Sequence, residues 1–145
     1  MDNPLSIKKL TYSESIPFLE INPLFDEGTE WDAEQGKKFL ENPDNVFFLA
    51  TWNEQFAGFL TGHRLQRFDK RKAEVLLYEI GVNENFQKKG IGKALIEKVK
   101  EWGKEVGADE MWVLTNKSNV AANALYQSAG GVTESPDDTM YVFKI

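Results

Sequence analysis

Val75-Leu76-Leu77-Tyr78-Glu79-Ile80-Gly81-Val82 is a nearly continuous apolar run, and shortly after it comes Gln87-Lys88-Lys89-Gly90-Ile91-Gly92, a basic turn with two glycines. The first reads as a central strand covered on both faces. From Ile91 to Val106 the pattern becomes helical, with Leu95, Val99, Trp102 and Val106 on one stripe. Lys93, Glu97, Lys100 and Lys104 then face solvent, and Gly107 is a suitable residue just past the helix end. A strand, a glycine turn and a helix in that order suit an anion. The first helical turn has unpaired N–H groups and partial positive charge. Gly90 and Gly92 let the backbone approach closely, and Lys88 and Lys89 add mobile positive charge.

Outward from this unit, Leu5 to Thr11 reads as a first strand and Ser13 to Leu24 as a helix that Pro17 starts or interrupts. Phe25 to Asp32 reads as a loop, and Asp32 caps a helix reaching Leu40. Val46 to Trp52 and Phe56 to His63 form a hairpin across Asn53-Glu54-Gln55. Downstream, Glu110 to Thr115 is expected as a strand, Asn119 to Ala129 as a helix and Met140 to Ile145 as a closing strand. The strand–helix alternation between Val75 and Ala129 implies local parallel pairing, and the hairpin and terminal strand imply antiparallel pairing. The expected fold is mixed α/β.

At 145 residues the chain fits one domain, 1–145, with a substantial core. It has no cysteine, which excludes disulfides, thiolate zinc sites and a cysteine nucleophile and fits a reducing cytoplasm. The acidic opening Met1-Asp2-Asn3-Pro4 does not read as a secretion signal, and no apolar run approaches the roughly 18 residues of a membrane helix. A net charge of -6 argues against nucleic acid as a partner and favours a cationic one. The single histidine, His63, has no ligand-spaced partners, so a structural role is expected for it and no metal site is expected.

Read together with Asn119-x-x-Ala122-x-x-Leu125-Tyr126, the turn and its flanking elements resemble the GCN5-related N-acetyltransferase (GNAT) family over Val46 to Gly131. That family's phosphate signature, Arg or Gln, two variable residues, Gly, one variable residue, then Gly or Ala, is met by Gln87, Gly90 and Gly92. The runs Leu77 to Val82 and Glu110 to Thr115 look like those of aminoglycoside 3-N-acetyltransferases. One departure is Gly130-Gly131, where the family commonly has Gly-Phe. The resemblance implies a mainly antiparallel sheet whose central parallel strand pair splays around acetyl-coenzyme A, with helices on both faces. It also implies that amides from Gln87 to Gly92, with Lys93 beside them, hold the pyrophosphate. Ile80 and Val82 would pair with the pantetheine arm, and the amide of Ile80 or Gly81 would polarise the thioester carbonyl. Homodimers are common in that family.

An alkylamine near neutral pH is mainly ammonium, so a base must take its proton, and the departing thiolate benefits from a proton donor. Glu79 lies in an apolar strand, where burial would raise its pKa, on the face expected to carry Val75 and Leu77; the alternative is a structural, solvated or lysine-paired carboxylate. Tyr126 matches the family tyrosine near the coenzyme sulfur, with core packing as the competing role. Asn119 would cap its helix, touch the coenzyme, or both, and Ala122 would allow close approach. Asp26, Glu27, Glu30 and Trp31 form an acidic, aromatic stretch fit for a cationic acceptor, or equally a solvated loop with a buried anchor. The leading expectation is therefore acetyl transfer from acetyl-coenzyme A to a primary amine of a small cationic molecule, without a covalent enzyme intermediate. The alternatives are a peptide or protein acetyltransferase, or a noncatalytic acyl-coenzyme A sensor. A nucleotide-binding domain fits less well, because the turn has neither Gly-x-x-x-x-Gly-Lys-Ser/Thr nor Gly-x-Gly-x-x-Gly.

Overall fold

A computed structural model describes residues 2–12, 21, 32–135 and 137–145. The helix expected over Ser13–Leu24 and the loop expected from Phe25 lie almost wholly outside these residues. Within them, strands β1 (Leu5–Lys9), β2 (Asn45–Trp52), β3 (Gln55–Leu65), β4 (Ala73–Val82) and β5 (Ala108–Trp112) form one sheet in chain order. Neighbours pair antiparallel except β4 and β5, which are parallel. The helices are α1 (Ala33–Glu41), α2 (Ile91–Glu105) and α3 (Val120–Ser128).

Local chemistry accounts for most boundaries. The Asp32 carboxylate accepts hydrogen bonds from the Glu34 and Gln35 amides at 2.9 and 3.3 Å and starts α1. Asn53 and Glu54 both have positive φ, 48° and 67°, the signature of the tight turn whose twist matches a β-hairpin, and they join β2 to β3. Gly107, at φ 82°, ends α2 in the left-handed conformation that glycine adopts without steric cost.

The two faces of the sheet carry separate apolar clusters. On one face, α2 lays Ile91, Leu95, Ile96, Val99 and Trp102 against Val46, Phe48, Leu60, Val75 and Leu77. On the other, Phe47, Phe56 and Phe59 pack with Ile21 and with Phe39 and Leu40 of α1.

A β-bulge in β4 reverses this alternation. Leu77 pairs with Gly62 and Glu79 with Thr61, so Tyr78 is an extra residue on β4. Before it, Val75 and Leu77 face α2; after it, Ile80 and Val82 do. Glu79 therefore shares the opposite face with Thr61, which pairs with Phe47. The expectation that Glu79 lies on the face of Val75 and Leu77 is corrected here. A continuous apolar run does not reveal where its parity changes.

Two strand expectations also change. β5 covers Ala108–Trp112 rather than Glu110 to Thr115, because its pairing is set by Ala73 to Leu76 of β4 and stops just before the bulge. Met140 to Ile145 forms no strand, and Met140, Tyr141, Val142, Phe143 and Ile145 are exposed. Strand-forming side chains make a strand only where a neighbour satisfies the backbone.

Candidate functional site

β4 loses its parallel neighbour after Leu76, which pairs with Trp112, yet runs on to Val82. Among the described residues the edge of β4 facing β5 is therefore open from Leu77 to Val82, and Ile80, Gly81 and Val82 lie on it, half-buried. A strand edge of this kind presents N–H and C=O groups at the spacing an extended amide chain can use.

The open edge leads into the basic turn. A 3-10 turn, Glu84–Phe86, is capped by the Asn83 side chain, which accepts from the Asn85 amide at 3.0 Å. Lys88 and Gly90 then take left-handed conformations, φ 63° and 78°, and Gly90 is the N-cap of α2. It has no side chain to cap the helix, and the first intrahelical bond is Ala94 N–H to the Gly90 carbonyl at 3.0 Å. The amides of Ile91, Gly92 and Lys93 are thus left for an external acceptor.

The two glycines serve different ends. A Cβ on Gly90 would meet nothing within 4 Å, so only its backbone angle requires glycine. A Cβ on Gly92 would come within 3.0 Å of Leu125, so Gly92 lets α3 close on the start of α2. Gly90→Ala is expected to destabilise the chain by about 1 kcal/mol through backbone strain alone, read as a lower urea midpoint with an unchanged slope. Lys89 lies over the Trp52 ring, 5.0 Å from its centroid, while Lys88 and Lys93 are exposed.

Beside this turn, α3 closes on the start of α2, with Leu125 against Gly92. Asn119 caps α3, its side-chain oxygen accepting from the Ala122 amide at 3.1 Å. Asn123, not singled out in the sequence, fixes the approach to the helix by donating to the carbonyls of Asn116 and Asn119 at 2.9 and 2.7 Å. Tyr126 packs against the cluster under α2, and burial pushes its phenol above the ordinary 10.0.

A family model described as the acetyltransferase (GNAT) family matches residues 12–131. The chain belongs to that family. Its fold superposes on an aminoglycoside acetyltransferase, meta-AAC0020, from an uncultured soil metagenomic sample, with a TM-score of 0.86, 26% identity and 99% of each chain covered. The aminoglycoside acetyltransferase AAC(6′)-Iy, solved with a bisubstrate analogue of coenzyme A, shares the fold at a TM-score of 0.79 and 22% identity, with 97% of this chain and 98% of that one covered. In sequence, the chain is 37% identical over 98 residues to the [Ribosomal protein bS18]-alanine N-acetyltransferase of Escherichia coli K12. That match takes in 68% of this chain and 58% of the relative's length.

In this GNAT chain the bulge brings Glu79 to the same face as Thr61, a residue the sequence reading passed over. Thr61 is buried, and its hydroxyl has no hydrogen-bond partner among the described residues. Only the register makes it visible, since a threonine in a strand is ordinarily unremarkable. Asp26, Glu27, Glu30 and Trp31 lie outside the described residues. A groove of about 450 Å³ lined by Glu54, Gln55, Phe56, Asn83 and Phe86 borders the 3-10 turn but includes none of Gln87 to Gly92.

His63 has a structural setting. Its ring makes edge contacts with Phe39 and Tyr78, at 5.6 and 5.5 Å between centroids. Asn45 donates through its amide nitrogen to the Phe39 carbonyl at 3.2 Å, which turns its oxygen toward His63 Nδ1 at 2.8 Å. Nδ1 therefore donates. Burial lowers the His63 pKa from 6.5. A depressed folded pKa favours the neutral ring, so its stabilising contribution is present above pH 6.5 and is lost as pH falls through the lower folded value. Melting temperature should drop between pH 7 and pH 5 by more in the wild type than in His63→Gln.

Proposed function

We propose that this chain transfers the acetyl group of acetyl-coenzyme A to a primary amine of a small cationic molecule. The observation that carries the donor half is the β4 edge, open from Leu77 to Val82 and continuous with the uncapped start of α2. Such an arrangement accepts a ligand with an extended amide arm ending in a diphosphate, and acetyl-coenzyme A has that form. In this reading the Ile80 and Val82 backbone groups pair with the arm, and the Ile80 or Gly81 amide polarises the thioester carbonyl. The amides from Gln87 to Gly92 hold the diphosphate, with Lys88 and Lys93 beside it. Asn119 and Ala122 shape the α3 side of the cleft.

Glu79 takes the proton from the acceptor ammonium, directly or through water, and the amine nitrogen attacks the carbonyl carbon. The carbon–sulfur bond breaks with Tyr126 donating a hydrogen bond to the leaving sulfur, the second proton lost by the nitrogen goes through water to the thiolate, and the products are the acetamide and the free thiol of coenzyme A. A small cationic acceptor is supported by the whole-chain likeness to an aminoglycoside acetyltransferase, by the net charge of -6, and by the acidic stretch Asp26, Glu27, Glu30 with Trp31. A peptide α-amine is the second reading, favoured by the 37% identity to an alanine N-acetyltransferase of a ribosomal protein.

The test is thiol release from acetyl-coenzyme A across aminoglycosides, polyamines, amino acids and peptides beginning with alanine. Turnover that depends on an aminoglycoside or polyamine supports the small-molecule reading. Turnover confined to peptides transfers the function to the second. Coenzyme binding without turnover on any amine would leave a binding module.

A further inference from the structure

The bulge in β4 places two consecutive side chains on one face of the sheet. Leu76 pairs with His63 and Glu79 with Thr61, and His63 and Thr61 share the face of Phe59, which packs toward α1. Tyr78, two residues after Leu76 and next to Glu79, therefore stands on the α1 face beside the carboxylate. Its contact there agrees, since the Tyr78 ring meets the His63 ring at 5.5 Å between centroids and 78° between planes. His63 in turn is held by Asn45 Oδ1 on its Nδ1 at 2.8 Å and by edge contact with Phe39 of α1. Two strands and a helix thus fix the direction of one ring. Packing does not account for it, because Tyr78 is 61% exposed while Thr61 and Phe59 on the same face are 5 and 2% exposed.

We infer that Tyr78 is a specificity-determining residue, its ring holding a second ammonium group of the acceptor while the first gives up its proton at Glu79. The inference rests on the acetyl transfer and on the role of Glu79 proposed above, and it narrows the acceptor to a small molecule with at least two amines. A nitrogen that must lose its proton cannot also be the cation that anchors the molecule. The anchoring charge is then a second one, and the face of an aromatic ring attracts a cation within about 6 Å of its centroid. Adjacent Cα atoms lie about 3.8 Å apart, so one short diamine or one aminosugar can touch both Tyr78 and Glu79. Burial lowers the His63 pKa from 6.5, so the imidazole against Tyr78 is mainly neutral at pH 7 and sets no opposing charge there. A monoamine meets Glu79 and Thr61 equally well but leaves the Tyr78 ring unused. His63 and Asn45 act through Tyr78 and are positioning residues.

Thiol release from acetyl-coenzyme A at neutral pH should be compared for 1,4-diaminobutane against n-butylamine and for neamine against glucosamine, pairs that differ in the number of amines. The wild type should prefer the polyamine of each pair in kcat/KM by more than its extra equivalent amines allow. Tyr78→Leu should cut that preference by about 10-fold, the scale of one cation–ring contact taken out of water, through the KM for the polyamine. Tyr78→Phe keeps the ring and should keep the preference. Glu79→Gln should slow both members of a pair alike, so the ratio separates the two roles. A folding defect in Tyr78→Leu would also act on both alike and would raise the KM for acetyl-coenzyme A, which is expected to stay. A wild type without the preference, or a preference that survives in Tyr78→Leu, overturns the role of Tyr78 and leaves acetyl transfer standing. A wild type that releases no thiol with any of the four amines overturns the small-amine reading and this inference with it.

Discussion

Tyr126→Phe is expected to lower kcat by about 10- to 100-fold, the worth of one hydrogen bond to a charged group, with little change in acetyl-coenzyme A affinity. The ring keeps its packing against the cluster under α2, and only the hydroxyl is lost. Burial raises the phenol above 10.0, so it holds its proton throughout the neutral range. That rise also limits its role. An alkyl thiol titrates near about 8.5, so complete transfer from this phenol to a thiolate is uphill. Tyr126 is then best placed to donate a hydrogen bond to the developing charge, and an effect of 10⁴-fold is not expected. Loss of activity through Tyr126 ionisation should have its midpoint above pH 10.0 in the wild type and be missing in the variant. Unchanged kcat in Tyr126→Phe would reduce the residue to packing.

The same residues show what a sequence can carry. The helix at Ile91 was legible because Leu95, Val99 and Trp102 repeat at helical spacing and all three are buried. The hairpin at Asn53 and Glu54 and the caps at Asp32 and Asn119 were legible because their chemistry is local. Register was not. The β4 bulge depends on how Gly62 and Thr61 meet Leu77 and Glu79, a relation between strands with no signature in either one. The start of β5 was misplaced for the same kind of reason, since parallel pairing with Ala73 to Leu76 decides it. Gly92 was recognised as a glycine of the turn, but its contact with Leu125 belongs to the packing of two helices. The strand expected at Met140 to Ile145 rests on composition alone, and composition does not name the partner a strand requires.

Glu79→Gln should lower kcat/KM at neutral pH by about 100-fold, the usual scale of a positioned general base. The bulge makes this prediction sharper than the sequence did. On the face of Leu77 the carboxylate would have met α2 and its apolar cluster, where a base serves no acceptor. Opposite Thr61 it faces away from that cluster, next to a buried hydroxyl without a partner among the described residues, which a water or amine placed there can bond. An alkylamine with a pKa of about 10.4 is neutral in only a small fraction at pH 7, and that fraction grows about tenfold per pH unit. Glu79→Gln should therefore recover activity along that slope, while the wild type rises less. Thr61→Val separates position from proton transfer, since losing the hydroxyl should raise KM or lower kcat without adding the alkaline rescue. Parallel pH profiles for wild type and Glu79→Gln would assign the carboxylate to holding the strand, because a base removed from the mechanism must change how the rate follows the acceptor's ionisation.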